Sequence, residues 1–179
     1  MARTGVVYQV NVSGGGVPKW PVPQAAVSEY GMEGDRQSDQ MAHGGPQRAL
    51  CLFALERIEE LAAEGHDIAP GHLGENVTVS GIEWRLVLPG CRMRIGHDVL
   101  IEITDYTAPC FKQSQWFTDG DFNRINSALH LECSRVYAKV LESGVIAAGD
   151  TVELLQESVV ERFERRRIPG FTWKPPAPR

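Results

Sequence analysis

The feature that most constrains the fold is a succession of short apolar runs separated by glycine- and proline-containing turns. Runs of about four to eight residues that alternate apolar and polar side chains and favour β-branched types are typical of β-strands. We predict strands over residues 5–12, 25–30, 48–53, 76–80, 92–95, 99–104, 136–141, 145–148 and 151–155. Many short strands with few helices favour a β-rich α/β fold whose sheet curls into a barrel.

Helical patterns are few. Leu55, Ile58 and Leu61 keep helical spacing within residues 55–64, and Gly65 is placed to end that helix. Residues 122–131 show a weaker helical pattern, and residues 158–167 fit a basic amphipathic helix. We therefore expect a few helices around the curled sheet.

Length and charge indicate one domain followed by a tail. A chain of 179 residues is within the size of a single core. Six of the 18 basic residues but only three of the 23 acidic residues lie in 156–179, so residues 1–155 carry 12 basic against 20 acidic side chains. We assign 1–155 to the domain and 156–179 to a basic, proline-rich tail. The acidic body argues against a nucleic-acid surface, which needs a broad basic footprint.

Targeting signals and cysteine usage indicate the compartment. No apolar run approaches the roughly 18 residues of a membrane helix, and the N-terminus lacks a signal-peptide core. We expect a cytoplasmic protein without a membrane partner. Widely spaced cysteines without a C-x-x-C pair are expected to be reduced thiols; they are Cys51, Cys91, Cys110 and Cys133.

Cys110 is the candidate functional atom. It follows the predicted strand 99–104, and Pro109 cannot donate to a β ladder, so strand pairing should fail just before the thiol. Lys112 could favour the thiolate, the form that attacks electrophiles and binds metals. A single cysteine is nevertheless more often a small buried apolar residue than a ligand. Taken alone, Cys110 leaves both interpretations open.

Four irregular segments combine glycine or proline with a polar group. Glycine lets the backbone approach a ligand and turn N–H groups toward an anion. Simpler interpretations exist for three of the segments: an ion pair for Asp35 with Arg36, a hydrogen-bonded loop residue for His43, and capping of a strand start for Glu75 with Asn76. The segments are Gly34-Asp35-Arg36, His43-Gly44-Gly45, Gly74-Glu75-Asn76 and Pro109-Cys110-Phe111-Lys112.

Two other kinds of site are weakly supported. The five histidines do not show the spacing of a helical zinc site. Ser80 and Ser134 lack the Gly-x-Ser-x-Gly setting of a hydrolase nucleophile. A Cys/His pair would need spatial proximity, with His43 as the first candidate partner of Cys110.

Taken in order, the motifs resemble the MOSC domain, named for the C-terminal part of molybdenum-cofactor sulfurases. The resemblance extends from about Gly5 to Leu155 and is closest to small stand-alone members. It also includes the closing runs Tyr137–Leu141 and Gly149–Val152. The motifs that carry it are Gly34-Asp35-Arg36-Gln37, His43-Gly44-Gly45-Pro46-Gln47-Arg48-Ala49-Leu50-Cys51, Pro70-Gly71-His72-Leu73-Gly74-Glu75-Asn76-Val77-Thr78 and Pro109-Cys110-Phe111-Lys112.

This resemblance implies a β-barrel-rich fold that binds the molybdenum cofactor, a pterin dithiolene with a phosphate. Cys110 matches the cysteine that ligates the metal in the molybdenum-binding members, and a soft thiolate suits such a metal. Arg36, Arg48 and Lys112 are implied to meet the phosphate and pterin. Orienting or hydrogen-bonding roles are implied for the remaining set: Gly34, Asp35, His43, Gly44, Gly45, Gly74, Glu75 and Asn76.

The resemblance also implies an activity. Related stand-alone proteins are associated with reduction of N-hydroxylated compounds, which makes the chain a candidate oxidoreductase acting on a small molecule. The sequence contains neither a pyridoxal-phosphate-dependent sulfurase domain nor a reductase domain, so we expect a separate electron-donor reductase. Homodimerisation is left open. The alternatives are a sulfur carrier, with a persulfide on Cys110, or a cofactor carrier without turnover, and a non-catalytic resistance or metabolite-binding module.

Overall fold

The structure is a computed structural model that describes residues 2–36 and 45–155. Two predicted cofactor-binding residues, His43 and Gly44, lie outside the described residues, as does the helix predicted over 158–167. Within the described ranges, no helix is long and apolar enough to cross a bilayer.

Seven strands form a closed barrel, in the order β11, β7, β8, β9, β5, β6, β1, with β1 pairing back to β11. All neighbours are antiparallel except β5 and β6. The predicted β-rich, barrel-containing fold is therefore confirmed. The barrel strands are β1 (Thr4–Val12), β5 (Leu50–Ala54), β6 (Val77–Ser80), β7 (Arg92–Ile95), β8 (Val99–Tyr106), β9 (Val136–Glu142) and β11 (Thr151–Leu154).

Four short strands lie outside the barrel ring. β2 (Trp20–Val22) pairs with the C-terminal end of β1. A separate small sheet has the order β10 (Gly144–Ala147), β3 (Gln24–Ser28), β4 (Gly31–Met32). The predicted strand over 25–30 is thus shorter than expected, because the chain turns at residues 29–30 to pair β3 with β4.

The alternation read from the sequence matches the burial of the strands. In β8, Val99, Ile101 and Ile103 are buried while the residues between them are partly exposed. β5 is buried along its whole length, since it runs between β9 and β6 and continues directly into the helix. These apolar faces form one continuous core.

The helix α1 spans Leu55–Ala63 and buries Ile58 and Leu61 against the sheet. It ends at Glu64, and Gly65 follows with φ +96°, a conformation that favours glycine. This helix agrees with the sequence pattern.

The helix predicted over 122–131 is wrong. The structure has only two 3₁₀ turns there, Phe122–Ile125 and Leu131–Cys133. Side chains compete with helical hydrogen bonds in this segment: Asp121 accepts from the Asn123 N–H at 3.0 Å and Asn126 accepts from the Ala128 N–H at 3.1 Å.

Candidate functional site

A cavity of about 480 Å³ opens beside the β5–β9 pair, where several connecting segments meet. Its walls come from the loop before β2, the residues before β6, the segment after β8 and the start of β9. Cys51 and Tyr137, which are opposite partners in the β5–β9 ladder, form part of its lining. Segments that are distant in sequence therefore share one pocket at this side of the barrel.

Cys110 lies at this cavity on a loop that the barrel fixes at both ends. β8 ends at Tyr106, and the Thr107 N–H then donates to the Arg135 carbonyl at 3.0 Å. Cys110 is extended, with φ −129°, and immediately precedes a 3₁₀ helix over Phe111–Trp116. Its side chain lines the cavity and is partly exposed, whereas the other three cysteines are buried. Among the four thiols, Cys110 is therefore the most accessible to solvent.

Gln113 connects the thiol segment to the opposite wall. Its Oε1 accepts from the Cys110 N–H at 2.9 Å, and its Nε2 donates to the Leu73 carbonyl at 2.7 Å. Nη1 of Arg135 donates to that same carbonyl. One buried amide thus joins the cysteine segment to the loop before β6.

The cavity is strongly cationic. Among the described residues, five basic side chains and no carboxylate line it, and one of the five, Lys19, is in an ion pair with Asp35. This contrasts with the formal net charge of −5 for the chain. Because like charges collected around one cavity focus the field there, the arrangement favours an anionic ligand. The five are Lys19, Arg36, Arg48, Lys112 and Arg135.

Asp35 pairs with Lys19 rather than with its neighbour Arg36. Its Oδ1 accepts from the Ser13 N–H at 2.9 Å, and its Oδ2 accepts from Asn76 Nδ2 at 3.0 Å as well as from Lys19. Gly34 precedes it with φ +81° and lies outside the lining. The turn over 34–36 therefore uses Asp35 to hold Lys19 and leaves Arg36 at the cavity.

Gly74 and Asn76 line the cavity, and Glu75 between them does not. Asn76 Oδ1 accepts from the Cys51 N–H at 3.1 Å, which ties this loop to β5. Glu75 is fully buried; its Oε1 accepts from the Gly71 N–H at 2.6 Å and from the Thr78 hydroxyl at 3.0 Å. Desolvation raises the pKa of Glu75, against the lowering effect of these hydrogen bonds.

Arg48 closes another side of the cavity. It ends a 3₁₀ turn over Pro46–Arg48, which Gly45 precedes with φ +90°. The guanidinium carbon lies 5.2 Å from the centroid of the Tyr137 ring, within cation–π range. Burial, followed by the neighbouring Cys51 thiol, raises the pKa of Tyr137 to about 12. Gly45 itself does not line the cavity.

The structure thus gathers six of the predicted site residues around one cavity. Gly34, Asp35, Gly45 and Glu75 lie behind its wall or in the adjoining turns. Those at the cavity are Arg36, Arg48, Gly74, Asn76, Cys110 and Lys112.

Sequence reasoning missed several lining residues. Cys51, for which the sequence predicted only a reduced thiol, is at the cavity, and burial raises its pKa to about 11. Gln113 had a detectable signal, because Cys110-x-x-Gln113 has the spacing of a capping box. Arg135, a cation directly before an apolar strand, was a weaker signal, and nothing local marked Lys19. The missed set is Lys19, Cys51, Gln113, Arg135 and Tyr137.

The comparisons with known proteins agree with this fold. The family profile of the MOSC domain matches residues 39–153. YflK, an uncharacterised protein of Bacillus subtilis (strain 168), is 30% identical over 145 residues, which cover 78% of this chain and 63% of YflK. Protein YiiM of Escherichia coli (strain K12) is 33% identical over 104 residues, covering 55% of this chain and 46% of YiiM.

A solved structure shows the same architecture. The crystal structure of YiiM from Geobacillus stearothermophilus superposes with a TM-score of 0.68 at 22% identity, over 87% of this chain and 77% of that one. The chain spans less than two thirds of the length of either curated relative. The matched profile covers well over half of the sequence, and the chain therefore belongs to the MOSC domain family.

Proposed function

We propose that this MOSC protein binds the molybdenum cofactor in the cationic cavity, with Cys110 as the metal ligand, and serves as an oxidoreductase component that reduces N-hydroxylated compounds. One observation carries the proposal: the most accessible thiol of the chain lines a cavity bordered by five cations. A thiolate beside clustered cations matches a ligand that combines a thiophilic metal with a phosphate.

The residues present fit such a group. The cavity volume of about 480 Å³ lies within the range of small-molecule sites. Arg135 is 5% exposed, and its Nε has no hydrogen-bond partner within the described ranges. A buried, unpaired guanidinium N–H costs free energy unless a ligand accepts from it. An anion in the cavity would supply that acceptor.

Each part of the cavity has a distinct task in this proposal. Cys110 would hold the metal, while Arg36, Arg48 and Lys112 would neutralise the anionic groups. Asp35 and Asn76 would orient Lys19 and the loop before β6 through the hydrogen bonds that they already make. When bound, the cofactor supplies a centre that exchanges two electrons.

The reaction needs a partner. Reduction of an N-hydroxyl group to the amine consumes two electrons and two protons and releases water. Electrons would come from a separate reductase, and the substrate would be a small molecule that reaches the mouth of the cavity. Phe111, which is 80% exposed beside Cys110, would border that approach. The proposal also includes a cytoplasmic location, and it is compatible with a homodimer.

The test is the cofactor content of purified protein. Wild type, Cys110→Ala and Cys133→Ala are produced in a host that makes the cofactor, and molybdenum and pterin are quantified in each. We expect Cys110→Ala to lose most of the molybdenum and the reductase-dependent N-hydroxyl reduction. Cys133, which is buried outside the cavity lining, serves as the matched control.

Two outcomes would overturn the assignment. Stoichiometric molybdenum in Cys110→Ala would show that the thiol is not a ligand. Cyanide-releasable sulfur on Cys110, in wild-type protein without molybdenum and without N-hydroxyl reduction, would favour a sulfur carrier instead.

A further inference from the structure

We propose that Gln113 is a positioning residue for Cys110: its side-chain amide holds the thiol segment against the loop before β6, and so places the sulfur among the cations of the cavity. The link to metal ligation rests on the proposed function. The placement of the thiol is independent of the proposed function, because it can be measured on the protein without cofactor.

The first half of the contact acts on Cys110 itself. The two residues are joined by two reciprocal bonds: the Gln113 backbone N–H donates to the Cys110 carbonyl at 3.0 Å, and Gln113 Oε1 accepts from the Cys110 N–H. The second bond is 2.9 Å long. Reciprocal bonds of this kind fix the backbone of the capping residue. They therefore restrict the direction in which the Cys110 side chain leaves the chain.

The second half of the contact reaches across to a different wall. Gln113 Nε2 donates to the Leu73 carbonyl at 2.7 Å, and Arg135 Nη1 donates to the same oxygen. A carbonyl oxygen has two lone pairs, so both donors can bind it at once. Gln113 consequently connects the segment of the thiol with the guanidinium that lines the cavity.

Burial and chemistry make glutamine suited to this position. Gln113 is 2% exposed, so little water competes with its amide group for the hydrogen-bond partners. The task requires one acceptor and one donor on the same side chain, which an amide provides and a thioether does not. Gln115 offers a contrast in the same 3₁₀ helix: it is exposed, and its Nε2 donates to the nearby Lys112 carbonyl.

Other contacts keep the segment folded when Gln113 is replaced. The His72 and Trp116 rings stack with centroids 4.0 Å apart. Thr118 Oγ1 donates to the Gly65 carbonyl at 2.5 Å, and Phe117 is buried against His66. A change at Gln113 should therefore release the thiol locally and leave the segment docked.

The experiment compares alkylation of Cys110 by anionic iodoacetate and neutral iodoacetamide. Wild type, Gln113→Met and the matched control Gln115→Met are produced without cofactor, and the rate at Cys110 is followed by peptide mass spectrometry at one pH. Cations around the sulfur favour the anionic reagent, so the ratio of the two rates reports the surroundings of the thiol. We expect the ratio to fall by about threefold or more in Gln113→Met and to stay unchanged in Gln115→Met.

A purely structural role would lower the melting temperature of Gln113→Met and leave the ratio in folded protein unchanged, and that result would overturn the proposal. If Gln113→Met does not fold, Gln113→Asn replaces it, since the shorter amide cannot span both partners and should lower the ratio likewise. An unchanged ratio in folded Gln113→Asn would equally refute it. A fall in the ratio, together with wild-type protein that contains no molybdenum when purified from a host that makes the cofactor, would sustain the positioning role and refute the proposed function.

Discussion

At the scale of single residues, Glu75 is a buried carboxyl group whose hydrogen bonds compensate its burial only in part. It is fully buried, and its Oε2 has no hydrogen-bond partner in the ranges that the structure describes. The other oxygen binds Gly71 and Thr78, which shapes the loop that carries Gly74 and Asn76 to the cavity. Burial disfavours the charged form of a carboxyl group. Glu75 therefore gives the loop its shape at the expense of stability at neutral pH.

The pH dependence of this cost has a definite sign. The pKa of Glu75 in the folded protein is raised above its ordinary value of 4.5. Between the two values the unfolded chain has lost the proton and the folded chain retains it. The contribution of Glu75 to stability thus falls as pH rises from about 4.5 through the folded pKa, and then stays low.

Glu75→Gln removes that titration and keeps an oxygen for Gly71 and Thr78. The free energy of unfolding of this variant, relative to wild type, should increase with pH by at most about 1.4 kcal/mol per pH unit. Urea unfolding of both proteins between about pH 5 and pH 8 measures it. The control is Glu59→Gln, which makes the same substitution on the exposed face of α1. A constant difference at Glu75 would contradict its raised pKa.

The sequence predicted the types of residue in the site better than it predicted the full set of residues that line the cavity. Cys110, Arg36, Arg48 and Lys112 stand in motifs that are visible along the sequence, and the structure brings them to one cavity. Lys19 was not predictable, because its role depends on a pairing with Asp35 that forms only after two loops meet.

At the scale of elements, the barrel closes where β1 bridges β6 and β11. Gly5 pairs with Val152 of β11, and the next residue, Val6, pairs with Ser80 of β6. A Cβ on Gly5 would lie 2.1 Å from the Ser80 carbonyl oxygen, closer than any real contact. The absence of a side chain at residue 5 therefore permits the two ladders to meet.

Gly5→Ala should consequently destabilise the fold. Relief of the overlap requires a backbone shift at the closure, for which we expect a loss of about 1–3 kcal/mol in the free energy of unfolding. Gly14→Ala is the matched control, since a Cβ there would meet no atom within 4 Å. Equal stability of the two variants in urea unfolding would show that the closure does not need glycine.

The strands and the helix α1 could be predicted from local sequence patterns, whereas the turns within residues 122–131 could not. Alternation in β8 and helical spacing in α1 report burial directly. Ile125 and Leu129 have the spacing of one helical face, yet Ile125 is buried and Leu129 is 64% exposed. Asp121 and Asn126 bind nearby backbone N–H groups and divide this stretch into turns.

At the scale of the whole molecule, charge is separated between body and cavity. The chain carries a formal net charge of −5, while five cations and no carboxylate line the cavity within residues 2–36 and 45–155. A net negative charge repels polyanions, whereas cations gathered around one cavity attract small anions. Sequence composition predicted the first property. The second arises only when the barrel gathers cations from distant segments.

The proposed ligation of molybdenum by Cys110 can be tested by identifying the atoms that are bound to the metal. X-ray absorption at the molybdenum edge, recorded on loaded wild type and on loaded Cys110→Ser, counts the sulfur atoms around the metal. A hydroxyl is a poorer ligand than a thiolate for a soft site. We predict one sulfur neighbour fewer in Cys110→Ser, whereas an identical sulfur shell in the two proteins would show that Cys110 is not a ligand.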